Sequence, residues 1–231
     1  MATTVLDGCP VAVTGHVDGT VRVWDLADRR QIGEPLSGHT DWVEAVATSV
    51  VDGRAVAVTG SNDRTVRVWD LTGREQIGEP LVDHTNEVRA VATAVVDGRP
   101  TAFTGDFDGT VRAWNLATGR PAAEPLEAHT EVGAVTAAVV GGRLIVLVGC
   151  GDGTVGTWDP VTGQPVGEPL KGHKGMVWGA ATTLVDGRPV AVTGSNDATV
   201  RVWDLTGLTA PAHQHAARPC HRLGDGDTSG Y

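Results

Sequence analysis

The 231-residue sequence predicts an all-β chain built from one unit of four short antiparallel strands, used five times, the last use cut short. Three observations carry this. Five tryptophans, Trp24, Trp69, Trp114, Trp158 and Trp203, stand 45, 45, 44 and 45 residues apart. Four histidines, His39, His84, His129 and His173, keep the same beat at 45, 45 and 44. Residues 52–73 (DGRAVAVTGSNDRTVRVWDLTG) and 186–207 (DGRPVAVTGSNDATVRVWDLTG) differ at two of 22 positions, which chance does not produce. A fixed period of this length marks supersecondary units that stack on one another.

Within one unit, Val43 to Val50 is an apolar, β-branched run, and Asp52-Gly53 is a hairpin turn signal. Ala55 to Thr59 is a second run, Ser61-Asn62-Asp63 a turn, and Thr65 to Leu71 alternates apolar and polar residues. Thr72-Gly73 turns again before Gln76 to Leu81. The unit therefore reads as strands near 43–50, 55–60, 65–71 and 76–81. Pro80 recurs as Pro35, Pro125 and Pro169, and a residue without an N–H belongs on an edge, so the fourth strand is the outer one. Four-stranded sheets that repeat and must bury both faces on their neighbours are the blades of a β-propeller. The blades fall at about 1–36, 37–81, 82–126, 127–170 and 171–207. Residues 208–231 lose all periodicity and read as an irregular tail. The loss is abrupt after a near-perfect repeat, which predicts an array interrupted in its reading frame and a ring that does not close.

Composition narrows the function classes. Apolar residues make up 41% and charged residues 20%, as in ordinary soluble domains. The net charge is −10 and the only lysines are Lys171 and Lys174, so no basic cluster exists to hold a phosphate backbone, and nucleic acid is not an expected partner. The longest apolar stretch, around Leu144 to Val148, is too short to span a membrane. The N-terminus has neither a basic nor a long apolar segment, so no signal peptide is expected. Cys9, Cys150 and Cys220 are far apart with no CxxC, which predicts neither disulfide nor zinc site and fits a reducing cytoplasm. Arginine in place of lysine, with abundant Ala, Gly, Val and Asp, suits a GC-rich bacterial gene.

Gly38-His39 and Gly172-His173, with Trp24-Asp25, Trp69-Asp70, Trp158-Asp159 and Trp203-Asp204, resemble the GH…WD signature of WD40 repeats, and the period agrees. The resemblance covers residues 1–207. Departures are Asp83 and Ala128 in place of the glycine before His, and Asn115 in place of the aspartate after Trp. The resemblance implies a propeller that binds proteins or peptides. Similar bacterial arrays are often the sensor portions of larger regulators.

His39, Thr59, Asp63 and Trp69 recur at fixed offsets as His84, Thr104, Asp108 and Trp114, and as His173, Thr193, Asp197 and Trp203. A hydroxyl, an imidazole and a carboxylate invite a nucleophilic reading. Repetition opposes it, because catalysis needs one site and architecture needs a copy in every blade. The donor inventory suits a structural chain in which Trp donates to Thr, Thr to His and His to Asp. The family resemblance implies the same use. Two blades are expected to break the chain. Val148 replaces the threonine between His129 and Trp158. Thr14, Asp18 and Trp24 have no preceding histidine, and His16, in the turn, is not expected to stand in for one.

Other motifs weigh less. Gly149-Cys150-Gly151-Asp152-Gly153 is followed by no helix, so it makes a poor phosphate cradle. Asp106-Phe107-Asp108-Gly109 lacks the further ligands of a calcium loop. His213, His215, Cys220 and His221 have no standard metal spacing. No cofactor or metal is expected. Partner specificity is instead expected where repeats differ over a constant scaffold. Val43, Val88, Val132 and Val177 are constant, whereas Trp42, Glu87 and Met176 on one side and Glu44, Arg89, Gly133 and Trp178 on the other vary. Strand alternation would hide the valine and turn these outward. Trp42 and Trp178 are the two tryptophans the repeat does not require, and Phe107 stands where other turns carry Val17, Asn62, Gly151 and Asn196. Trp42, Glu44, Glu87, Arg89, Phe107, Met176 and Trp178 are the partner-binding candidates. Uncapped end blades predict self-association. The alternative to a non-catalytic scaffold is a truncated, functionally degenerate fragment; an enzyme ranks third.

Overall fold

The computed structural model describes residues 1–128 and 130–208. They form five antiparallel sheets and no helix. Blade one contains β1 (Ala2–Leu6), β2 (Cys9–Gly15), β3 (Val21–Asp25) and β4 (Arg30–Leu36) in that order across the sheet. Blade two contains β5 (Val43–Val51), β6 (Arg54–Ser61), β7 (Val66–Asp70) and β8 (Glu75–Gln76). Blade three contains β9 (Val88–Val96), β10 (Arg99–Asp106), β11 (Thr110–Asn115), β12 (Arg120–Pro121) and β13 (Leu126–Glu127). Blade four contains β14 (Val132–Val140), β15 (Arg143–Cys150) and β16 (Val155–Trp158). Blade five contains β17 (Val177–Val185), β18 (Arg188–Ser195) and β19 (Val200–Asp204). Among the described residues no sheet closes, and the blades form an arc of a WD40-type propeller.

The first hairpin of each blade turns on two residues at positive φ, such as Asp52 (50°) and Gly53 (78°). That is the conformation whose twist matches the flanking strands, and it is why Asp-Gly recurs there. Neighbouring blades meet chiefly through their first strands, β1 on β5, β5 on β9, β9 on β14 and β14 on β17, which surround a common axis. Thr48, Thr93 and Thr182 each donate a hydroxyl to a backbone carbonyl of the preceding blade, at Thr3 (3.0 Å), Thr48 (2.7 Å) and Ala137 (2.7 Å).

The fourth strand is less regular than the pattern suggests. In blade two it runs only over β8, leaves the ladder at Gly78 (φ 68°) and Pro80, and rejoins through a bridge from Leu81 to Val66. In blade three β12 and β13 are two pieces of one strand, both paired with β11. In blade four it is reduced to bridges Trp158–Pro165 and Val155–Leu170. Proline supplies no ladder donor at these points, although blade one, which also carries Gly33 (φ 57°) and Pro35, keeps a continuous β4. At the far end of the described residues, Leu208 packs against Gly167 and the blade four–five core. The rest of the expected tail lies outside the described residues, as does His129.

Four apolar clusters lie between successive blades. Between blades one and two, Val11, Val13, Val21, Val23 and Leu36 face Val43, Val46, Ala57, Trp69 and Leu71. The same arrangement recurs between the later blades, with Trp114 and Leu116, Val148 with Trp158, and Trp203 with Leu205 on the receiving side. Each blade thus has a forward face of valines and a rear face carrying Trp and, in most blades, Leu.

Candidate functional site

Beneath the turn face, the repeated polar residues form buried chains. In blade two the Trp69 indole N–H donates to Thr59 Oγ1 (2.8 Å), which pairs with His39 Nε2 (2.7 Å), while His39 Nδ1 meets Asp63 Oδ2 (2.9 Å). A carboxylate only accepts, so Nδ1 carries hydrogen, and the Thr59 hydroxyl donates to Nε2. Asp63 also accepts from the Thr40 N–H (3.0 Å) and the Thr65 hydroxyl (2.7 Å). Blade five repeats the arrangement with Trp203, Thr193, His173 and Asp197. His39, His84 and His173 have fully buried side chains, and Thr59 and Thr104 are fully buried, so no substrate reaches these hydroxyls.

Blade three corrects the expectation. His84 Nδ1 pairs with Asp106 (2.8 Å), not Asp108, while His84 Nε2 meets Thr104 (2.7 Å) and Trp114 donates to Thr104 (2.7 Å). Asp106 stands where Ser61 and Ser195 stand in blades two and five, at the end of the second strand and 1% exposed. Being closer to the imidazole, it displaces the turn carboxylate, and Asp108 instead accepts from Thr85 (3.0 Å) and Asn86 (2.8 Å) at the surface. Blade one also differs from expectation. His16 folds back from the turn and pairs with Thr14 Oγ1 (2.8 Å), to which Trp24 donates (2.8 Å). The imidazole reaches the threonine from its own blade's turn, a route that counting offsets does not reveal. In blade four Val148 offers no hydroxyl, and the Trp158 ring lies in the space a side chain at position 156 would fill, which Gly156 leaves empty.

Burial raises the Asp63 and Asp106 carboxyls, but bonds from His39, Thr65 and Thr40 to the first, and from His84, Thr110 and Asp108 to the second, outweigh it and hold both below the ordinary carboxylate range. Asp197 is lowered mainly by the Thr199 hydroxyl and the Lys174 N–H. A folded carboxyl pKa below the unfolded value of about 3.9 stabilises the fold above that pH, and the contribution is lost as pH falls toward the folded pKa. Denaturant titrations should therefore show stability falling below about pH 4, with a flatter acid limb in Asp106→Asn than in wild type. Parallel limbs would mean Asp106 does not contribute.

Above the chains, four hydrogen bonds organise the turn face. The turn residues Asn62, Phe107, Gly151 and Asn196 donate their N–H to the carbonyls of Trp42 (3.0 Å), Glu87 (3.1 Å), Glu131 (2.8 Å) and Met176 (3.1 Å). This places one variable side chain and one variable turn on each blade's edge. Glu131 is the fourth-blade member of this set, hidden in the sequence by the one-residue deletion beside it. The second variable position, Glu44, Arg89, Gly133 and Trp178, is a β-bulge: each first strand skips that residue in its pairing with the second. The bulge, rather than simple alternation, re-aims these side chains.

Trp42 and Trp178 are 52% and 47% exposed. The Arg89 guanidinium lies 4.4 Å from the Phe107 ring centroid and 5.6 Å from that of Trp178, and its Nε donates to Glu87 (2.9 Å). Arg89 belongs to blade three and Trp178 to blade five. They meet because the bulge between them, in blade four, is the bare Gly133, over which Met176 also lies. Arg89, Phe107, Trp178, Glu87 and Met176 are therefore gathered at the axis, whereas Trp42 and Glu44 stand on blade two, where Glu44 accepts from Asn62 (3.2 Å). Among the described residues no group of three or more His, Cys, Asp or Glu is placed to hold a metal ion, and no helix is long and apolar enough to cross a membrane.

Stacked antiparallel blades, three of them tied by complete indole–hydroxyl–imidazole–carboxylate chains, define a class, the propeller built from GH…WD units. The chain belongs to the WD40 family: the model for the WD domain, G-beta repeat, matches residues 4–25, 30–70, 75–115 and 163–204. The unmatched interval contains Val148, Gly156 and most of blade four. No curated protein matches the chain. WD40 repeats generally form non-catalytic protein-interaction scaffolds.

Proposed function

We propose that this chain binds protein or peptide partners, without catalysing a reaction, through the turn face at the propeller axis, as a sensor portion of a larger cytoplasmic regulator. The Arg89–Phe107–Trp178 cluster carries the reading. It joins side chains from two non-adjacent blades, uses positions at which the repeats differ, and combines exposed aromatic surface with a guanidinium, the residue types that anchor interfaces. A second reading, a degenerate array without a partner, is favoured by the altered fourth blade.

Selection of a random peptide display library on the folded chain separates the two. Enriched peptides should bind wild type saturably and lose about tenfold or more with Trp178→Ala or Arg89→Ala, as an interface anchor worth above 1 kcal/mol requires. No enrichment, or enriched peptides that bind the variants equally, would remove the turn face as the site. The end blades offer a different surface, for which the blade-to-blade packing itself suggests the partner.

A further inference from the structure

Among the described residues, the forward face of blade five has the chemistry of an internal interface without its other half. Val200 and Val202 are 71% and 66% exposed, whereas Val66 and Val68, in the nearly identical stretch of blade two, are 0% and 5% exposed. The glycine of the second strand shows the same difference. A Cβ on Gly15, Gly60, Gly105 or Gly149 would strike Val43, Val88, Val132 or Val177 of the next blade at 2.3–2.6 Å. Among the described residues, a Cβ on Gly194 meets nothing within 4 Å. An open groove of about 400 Å³, lined by Trp178, Gly194, Ser195 and Val200 among others, occupies that place.

The rear face of blade one is the converse. Leu26 is 47% exposed, although Leu71, Leu116 and Leu205, at the same place in blades two, three and five, are 1%, 4% and 0% exposed. Trp24 is half-buried, while Trp69 and Trp114 are buried. The two uncovered faces are therefore the two halves of one interface that the chain already makes four times.

We infer that a second copy of this chain docks head to tail, the valine face of blade five in one copy receiving the Trp24–Leu26 face of blade one in the next. The interface is continuous with the internal ones: blade five presents the exposed Val200 and Val202 and the half-buried Val192, as blade two presents Val66, Val68 and Val58 to Trp114 and Leu116. Docking between copies is concentration-dependent. Because the two faces differ, the contact is heterologous and either closes into a ring or propagates.

The test uses two variants of the full chain at positions exposed enough to leave the fold alone, Val200→Glu/Val202→Glu and Leu26→Glu, followed by sedimentation velocity over a wide concentration range. Wild type should sediment increasingly fast with concentration, and each variant should remain a monomer with an unchanged circular dichroism spectrum. Mixing the two variants should restore a complex limited to one copy of each, since each retains the half the other lacks. A monomeric wild type, as when another segment or protein covers these faces, overturns the inference. So does self-association that survives in either variant alone, or a mixture in which no complex forms.

Discussion

Asp106→Ala should lower the unfolding free energy by about 2–4 kcal/mol, and Asp108→Ala by no more than about 0.5 kcal/mol, in parallel urea titrations. The two aspartates are two residues apart and chemically identical, so the difference isolates position. Asp106 is buried, receives His84 Nδ1 at 2.8 Å and accepts the N–H groups of Asp108 and Thr110. Its removal leaves an imidazole donor and two backbone donors short of an acceptor where water has little access, and the cost of unsatisfied groups exceeds the value of any one bond. Asp108 bonds Thr85 and Asn86 at the surface, where water replaces it. His84→Ala should cost a similar amount to Asp106→Ala, and the double variant less than the sum, because the first substitution already breaks the chain. Equal losses for Asp106→Ala and Asp108→Ala would return the role to the turn carboxylate.

That pair shows what the repeat pattern conveys and where it stops. The blades were legible because period-2 alternation and Asp-Gly turns recur, and because indole, hydroxyl, imidazole and carboxylate have complementary donor inventories. Blades two and five follow the expected offsets to the atom pair. Blade three departs because an acid at the Ser61 position creates a competitor that spacing cannot rank; only the depth of each carboxylate does so. His16 was unreadable for a related reason, since it reaches Thr14 from a turn rather than from the preceding loop. The variability of the Glu44, Arg89 and Trp178 positions is legible in the sequence, but the β-bulge that carries them is not, because a bulge is a property of backbone pairing. The approach of Trp178 to Arg89 needs three separate blades: a bulge on each and no side chain on the middle one. No single repeat contains that information.

Gly60→Ala should destabilise the chain by about 1–3 kcal/mol, whereas Gly194→Ala should be neutral or stabilise it by up to about 1 kcal/mol. Both glycines sit in the same local sequence, Val-Thr-Gly-Ser-Asn-Asp, on the same second strand, and neither has positive φ. Propensity and backbone terms therefore cancel in the comparison, leaving only the neighbouring blade. At Gly60 the new methyl would lie 2.6 Å from Val88 Cγ1 and 3.0 Å from the Val88 carbonyl oxygen, and a backbone atom cannot step aside as a side-chain terminus can. At Gly194 it meets open space, and the reduced freedom of the unfolded chain dominates. The comparison is made at a concentration low enough to keep the chain monomeric. Thermal unfolding followed by circular dichroism measures both. If Gly194→Ala costs as much as Gly60→Ala, the forward face of blade five is packed in solution as tightly as the internal faces, and the open arc is not the state of the molecule.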